Sequence, residues 1–131
     1  EILDRRAEIF SIYDNILGEY DWAQCPTYKS DTKETSYHLY MFRVKGASED
    51  NRNEIIKRIS EKQVAVNVHY LPVPGMTHYI EAGYSLDNYP VAKANYQNEI
   101  TLPVYFNLTN EQVKIVADTV IEAVQSVLAH A

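Results

Sequence analysis

Val64-Ala65-Val66-Asn67-Val68-His69-Tyr70-Leu71-Pro72-Val73-Pro74-Gly75 is the stretch whose reading decides the fold. Val64, Val66 and Val68 alternate with Ala65, Asn67 and His69, the period-two pattern of a strand with two unlike faces. The pattern then stops. Pro72 and Pro74 lack a backbone donor, and each drives the residue before it toward extended geometry. Gly75 ends the run with free choice of φ. A strand over 64–70 therefore delivers an imidazole and a phenol to its C-terminal tip, and a stiff Pro-x-Pro loop carries the chain away. Rigid elements that aim side chains at a mobile edge are where sites are often built.

Upstream of this strand, Ser48 or Asp50 caps a helix over about 51–62. Ile55, Ile56 and Ile59 form its narrow apolar stripe, with Arg52, Glu54, Lys57, Arg58, Glu61 and Lys62 assigned to water. Before it, 36–44 reads as a strand with bulky groups on both faces: Tyr37, Leu39, Met41 and Arg43 on one, His38, Tyr40, Phe42 and Val44 on the other. Such a strand belongs in the centre of a sheet. Residues 21–36 read as a polar surface loop with Trp22 as an aromatic anchor. The first helix runs over about 1–17 on a stripe of Leu3, Ala7, Phe10, Tyr13, Ile16 and Leu17, and Gly18 stops it.

Downstream, 76–83 reads as a short helix closed by Gly83. Pro90 enters a second helix, at a position where its missing donor costs nothing. Ile100-Thr101-Leu102 is a short strand, and Pro103 after it marks a sheet edge. Leu108-Thr109-Asn110-Glu111-Gln112-Val113 carries a capping box, Thr109 with Gln112, and a hydrophobic staple, Leu108 on Val113. Val113, Val116, Val120, Val124 and Val127 then continue at helical spacing. The expected fold class is α+β: a small, mainly antiparallel sheet of about three strands with helices packed on one face, in a single domain spanning 1–131.

Composition narrows the function. The chain has 131 residues, 46% apolar and 23% charged, as in ordinary globular proteins. A formal charge of −6 argues against a nucleic-acid partner, which demands cationic contacts to phosphate. No apolar run approaches the roughly 20 residues of a membrane helix, so no membrane partner is expected. One cysteine, Cys25, precludes an internal disulfide and suits a reducing, cytoplasmic compartment. The first residue is Glu1 and the first helix lacks a capping residue, so a chain that continues upstream is expected.

Taken in order, Arg52-Asn53-Glu54-Ile55-Ile56, 64–70, Pro72-Val73-Pro74, Gly83-Tyr84, Tyr89-Pro90-Val91-Ala92, Ile100-Thr101-Leu102-Pro103-Val104-Tyr105 and Leu108 to Val113 resemble the C-terminal region of the DegT/StrS-type sugar aminotransferases. The strand His38-Leu39-Tyr40-Met41-Phe42-Arg43-Val44 matches as well. The resemblance implies the small domain of a pyridoxal-phosphate enzyme of the aspartate aminotransferase fold. It implies transfer of an amino group, usually from glutamate, to a nucleotide-linked keto-sugar, in cell-surface polysaccharide biosynthesis. It further implies an N-terminal large domain of the same chain as partner, a homodimer, and a nucleotide-sugar substrate. The Schiff-base lysine, the acid on the pyridinium nitrogen and the phosphate loop belong to that large domain, so no pyridoxal phosphate and no catalytic residue are expected on this stretch. The chain departs from the family pattern at Gln63, Ala65 and Asn67, where glycines are common, and at Met76, where a histidine is common; His78 follows two places later.

The resemblance implies His69 and Tyr70 as substrate-binding residues at the mouth of the cleft, with His38 as a further candidate. Beside this stands a purely structural reading: a strand-end pair hydrogen-bonded to its own loop, and a histidine holding a strand start. His69 with His78 as a metal pair is a weak signal without a nearby cysteine. Cys25 as a nucleophile has no base at fixed spacing. The alternative for the whole chain is a free-standing, non-catalytic α+β module that binds a small ligand or a partner protein.

Overall fold

The computed structural model describes residues 1–129, so the last two positions of the expected domain lie outside the described residues. Helix α1 spans Ile2–Leu17, and Ile9, Phe10, Tyr13 and Leu17 are its buried residues. Ile2 and Leu3, at the start of the stripe, are exposed. Gly18 ends α1 while keeping a right-handed conformation; a Cβ there would sit 2.5 Å from the Asp14 carbonyl oxygen, which is why the position takes glycine.

The sheet has three antiparallel strands in the order β1-β4-β5: Ala23–Gln24, Tyr40–Val44 and Glu99–Leu102. β4 is central, as its two bulky faces predict. Tyr40 pairs with Leu102, Met41 with Thr101, Phe42 with Ile100 and Arg43 with Glu99. Tyr40, Phe42, Val44, Ile100 and Leu102 face the core, and alternation sends Met41, Arg43, Glu99 and Thr101 to the other face. Helix α2 spans Glu49–Glu61, capped by Ser48 in a box with Asn51. Short α3 (Thr77–Glu81) and α4 (Pro90–Gln97) follow, and α5 (Asn110–Leu128) closes the chain with the predicted Thr109–Gln112 box intact. α5 packs against both α1 and α2. Phe10 meets Tyr40 edge to face at 4.9 Å, and the Tyr13 hydroxyl donates to the Pro103 carbonyl at 2.9 Å. Arg5 ties α1 to the start of α5 through the Asn110 side chain at 2.6 Å and the Leu108 carbonyl.

Three expectations are corrected. Residues 64–70 form no strand; only Asn67 pairs with Thr101, through a reciprocal pair of hydrogen bonds of 3.2 and 2.7 Å. Beyond that pair, side chains replace the ladder. The Asn67 carbonyl side chain takes the Val68 N–H at 2.8 Å, and the Glu99 carboxylate takes the His69 N–H at 2.9 Å. Val64 and Val66 pack on the edge of the core, while half-buried Val68 stays outside it. The third strand is instead β1, inside the stretch read as loop, and a hairpin of β2 (Lys29–Ser30) and β3 (Lys33–Glu34) follows it. Finally, Arg52 is buried rather than solvated: three residues before Ile55, it shares the stripe of Ile55 and Ile59. Its guanidinium lies 4.9 Å from the centre of the Tyr96 ring, which offers a cation a favourable face.

Candidate functional site

The sheet face turned away from α1, α2 and α5 is partly uncovered, and a cleft of about 340 Å³ opens there. Met41 and Arg43 of β4 and Glu99 of β5 form its floor, Asn95 and Tyr96 of α4 one wall, and His69, Tyr70 and Pro72 the other. Pro90 at the head of α4 fixes where that helix starts, so Asn95 falls beside the Arg43 guanidinium and accepts a hydrogen bond from it. Arg43 thereby presents a held cation at the cleft.

His69 is anchored from β5 at two points. Its backbone N–H donates to Glu99 Oε2 at 2.9 Å, and its ring Nδ1 lies 2.9 Å from Thr101 Oγ1. The Thr101 hydroxyl in turn donates to Glu99 Oε1. Glu99 and Thr101 are only 3% and 5% exposed, so this arrangement is part of the framework and not of the mobile surface. Burial pushes the Glu99 carboxyl above the usual glutamate range, offset by the two hydrogen bonds it accepts and by the nearby His69 ring and Arg52 guanidinium. Tyr70 stands edge to face against the His69 ring at 4.5 Å and is 70% exposed, its phenol free to meet a ligand. The peptide bond between His69 and Tyr70 is cis.

The residues singled out in the sequence separate here. His69 and Tyr70 line the cleft together. His38 does not; exposed at the entry to β4, it lines a second, shallower depression beside Asn67 and Thr101, which His69 also borders. His78 sits on α3 against Tyr79 and lines neither depression. Among the described residues no group of three or more potential metal ligands occurs. Burial pushes the Cys25 thiol upward, away from the thiolate a nucleophile requires. Arg43, Glu99 and Thr101 were missed as site residues. Their signal was present: polar side chains at alternate positions of short strands, opposite residues that had to be buried.

Lys29, Lys57, Lys62 and Lys93 pair with carboxylates at the surface, Lys45 reaches the Asp21 carbonyl, and no lysine lines the cleft among the described residues. The cleft as lined therefore offers no amine to form a Schiff base with a pyridoxal aldehyde. Among the described residues no helix is long and apolar enough to cross a membrane.

The model of the DegT/DnrJ/EryC1/StrS aminotransferase family matches residues 1–121. The spore coat polysaccharide biosynthesis protein SpsC of Bacillus subtilis is 27% identical over 127 residues, which cover 95% of this chain and 31% of that protein. An uncharacterized protein of Methanocaldococcus jannaschii is 29% identical over 118 residues, 88% of this chain and 30% of its own length. Among solved structures, Spr1654 of Streptococcus pneumoniae, described as a sugar aminotransferase and solved in its PMP form, superposes with a TM-score of 0.93 at 38% identity, covering 98% of this chain and 32% of that one. PseC of Helicobacter pylori, an aminotransferase of pseudoaminic acid biosynthesis, gives a TM-score of 0.80 at 22% identity over 95% of this chain and 33% of its own, a likeness of fold. The chain thus spans about a third of the length of the proteins it matches.

Proposed function

Because the chain belongs to the DegT/DnrJ/EryC1/StrS aminotransferase family, we propose that it serves as the C-terminal small domain of an enzyme that transfers an amino group to a nucleotide-linked keto-sugar, and that its cleft helps enclose that substrate. The observation that carries this reading is the His69–Tyr70 tip: one side chain anchored on buried β5, the other projecting, at the edge of a cleft whose floor holds the Arg43 cation. A nucleotide-sugar offers hydroxyls and phosphates, and this set supplies groups suited to both. Arg43 is the partner for phosphate, since its planar fork matches phosphate oxygens. His38, on the neighbouring depression, would contact the substrate only where it extends past the cleft mouth.

In this reading pyridoxal phosphate, which supplies the carbanion-stabilising chemistry of transamination, is bound by a large domain elsewhere in the same protein. The small domain's own work is to bind, orient and exclude water. A homodimer, glutamate as amino donor and a cytoplasmic setting go with the reading. Titrating this chain alone with pyridoxal phosphate should give no protein-bound absorbance band. The test of the enclosing role is hydrogen exchange on the intact protein: the nucleotide-sugar should slow exchange of amides in 67–72 and in α4. Unchanged exchange there, with substrate demonstrably bound, would refute it.

A further inference from the structure

The bonds around Thr101 fix more than the position of His69. Thr101 Oγ1 sits between Glu99 Oε1, to which it donates, and His69 Nδ1 at 2.9 Å. A hydroxyl has one hydrogen. Above its raised pKa Glu99 is a carboxylate with no hydrogen to give, so in that state the Thr101 hydrogen must point at Glu99. Only a lone pair of Oγ1 then remains toward the ring, and Nδ1 has to carry the hydrogen of that contact. The other carboxylate oxygen is already held by the His69 backbone N–H at 2.9 Å, so Glu99 cannot rotate away to free the hydroxyl. Both positioning groups lie two residues apart on the same face of β5, a strand buried along its whole length. When imidazole is neutral, the nitrogen that carries the proton is set by the bond the other one makes. Nε2 has no partner among the described residues, and it lies across the ring from Thr101.

We propose that Glu99 and Thr101 are positioning residues that hold His69 as its Nδ1–H tautomer, making Nε2 a hydrogen-bond acceptor for a hydroxyl of the substrate. The substrate half of this inference rests on the function proposed above. It divides the chemistry of the cleft: neutral His69 reads a donor such as a sugar hydroxyl, while phosphate, which only accepts, is left to Arg43. The free imidazole prefers the opposite tautomer, so the arrangement is a bias imposed by the strand and not a default of the side chain.

The test uses the intact protein labelled with 15N-histidine, at a pH where the imidazole is neutral and Glu99 is ionised. Long-range 1H–15N spectra, with His69 assigned through His69→Gln, report the tautomer directly. Wild type and Thr101→Ser should show Nδ1–H. Glu99→Gln should switch the ring to Nε2–H. Its amide oxygen can keep the His69 N–H while its NH2 donates to Thr101, whose hydrogen then turns to Nδ1. Thr101→Val, which breaks the connection without adding a donor, should also lose the Nδ1–H form. Wild type in the Nε2–H form, or both Glu99→Gln and Thr101→Val still Nδ1–H, overturns the proposal whatever the kinetics. In steady-state assays Glu99→Gln should raise KM for the keto-sugar substrate about tenfold, the effect of turning an acceptor into a donor against a hydroxyl, with Thr101→Ser near wild type. A switched tautomer with an unmoved KM for both Glu99→Gln and His69→Ala would instead refute the substrate role while leaving the tautomer assignment standing.

Discussion

Ile59→Ala probes whether the face of α2 has been read correctly. Ile59 is 0% exposed and packs in the core with Ile55, against the side of the sheet that carries Phe42 and Ile100. The substitution removes three carbons; at about 0.8 kcal/mol per buried methylene the transfer cost alone is about 2.4 kcal/mol. The residue is enclosed by α2, α5 and the sheet, so the surroundings collapse only in part, and the cavity lifts the expected loss into the range of about 2–5 kcal/mol. In urea melts this is a clear fall in midpoint at constant slope, and in thermal melts roughly 3–5 °C per kcal/mol for a chain of this size. Ile115→Ala is the control: Ile115 lies on α5 but is 58% exposed, so its loss should stay within about 0.5 kcal/mol. A loss below about 0.5 kcal/mol for Ile59→Ala would mean that α2 turns another face to the core.

Thr109→Ala removes the side-chain oxygen that accepts the Gln112 N–H and should cost about 1 kcal/mol in the same melts; no change would show that the capping box contributes nothing. Glu99→Gln should also change how stability depends on pH. The folded-state pKa of Glu99 lies above the ordinary value of 4.5, so protonation is easier in the fold than in the unfolded chain, a contribution full below 4.5 and lost as pH rises through the raised value. Glutamine has no proton to lose, so the stability difference between variant and wild type should move in the variant's favour from acid to neutral pH. A difference that stays constant, or moves the other way, contradicts the buried-carboxyl account.

What the sequence disclosed was chiefly what neighbouring residues settle among themselves. The Thr109–Gln112 box, the entry of α4 at Pro90 and the stop at Gly83 are local chemistry, and each appears where the residues put it. β4 was legible because Tyr40, Phe42 and Val44 alternate so strongly. Residues 64–70 misled because alternation reports which side chains are covered, not what the backbone pairs with. Val64 and Val66 are partly covered, yet Glu99 and Asn67 side chains take the amides that a strand would have offered. β1 was hidden because two residues carry no period, and its pairing is fixed by Val44 and Arg43, far along the chain. Arg52 was assigned to water because arginine usually is; its burial is offset by the Tyr96 ring supplied by α4, by the Glu49 carboxylate at 3.4 Å and by the Glu99 carbonyl at 3.5 Å, and neither the ring nor the carbonyl is revealed by the local sequence pattern. The site shows the same division. His69 and Tyr70 stood out at the end of an apolar run before two prolines, whereas Glu99, Thr101 and Arg43 gain their roles only when β5 is laid beside β4 and the 67–70 segment runs antiparallel along it.

The central claim is that the His69–Tyr70 tip borders a substrate and is not merely a structural pair. His69→Ala in the intact protein, assayed for both KM and melting temperature, tests it directly. The account predicts a raised KM for the nucleotide-linked keto-sugar, by the equivalent of about 1–3 kcal/mol, with cofactor binding and melting temperature close to wild type. An unchanged KM together with a lowered melting temperature would contradict it.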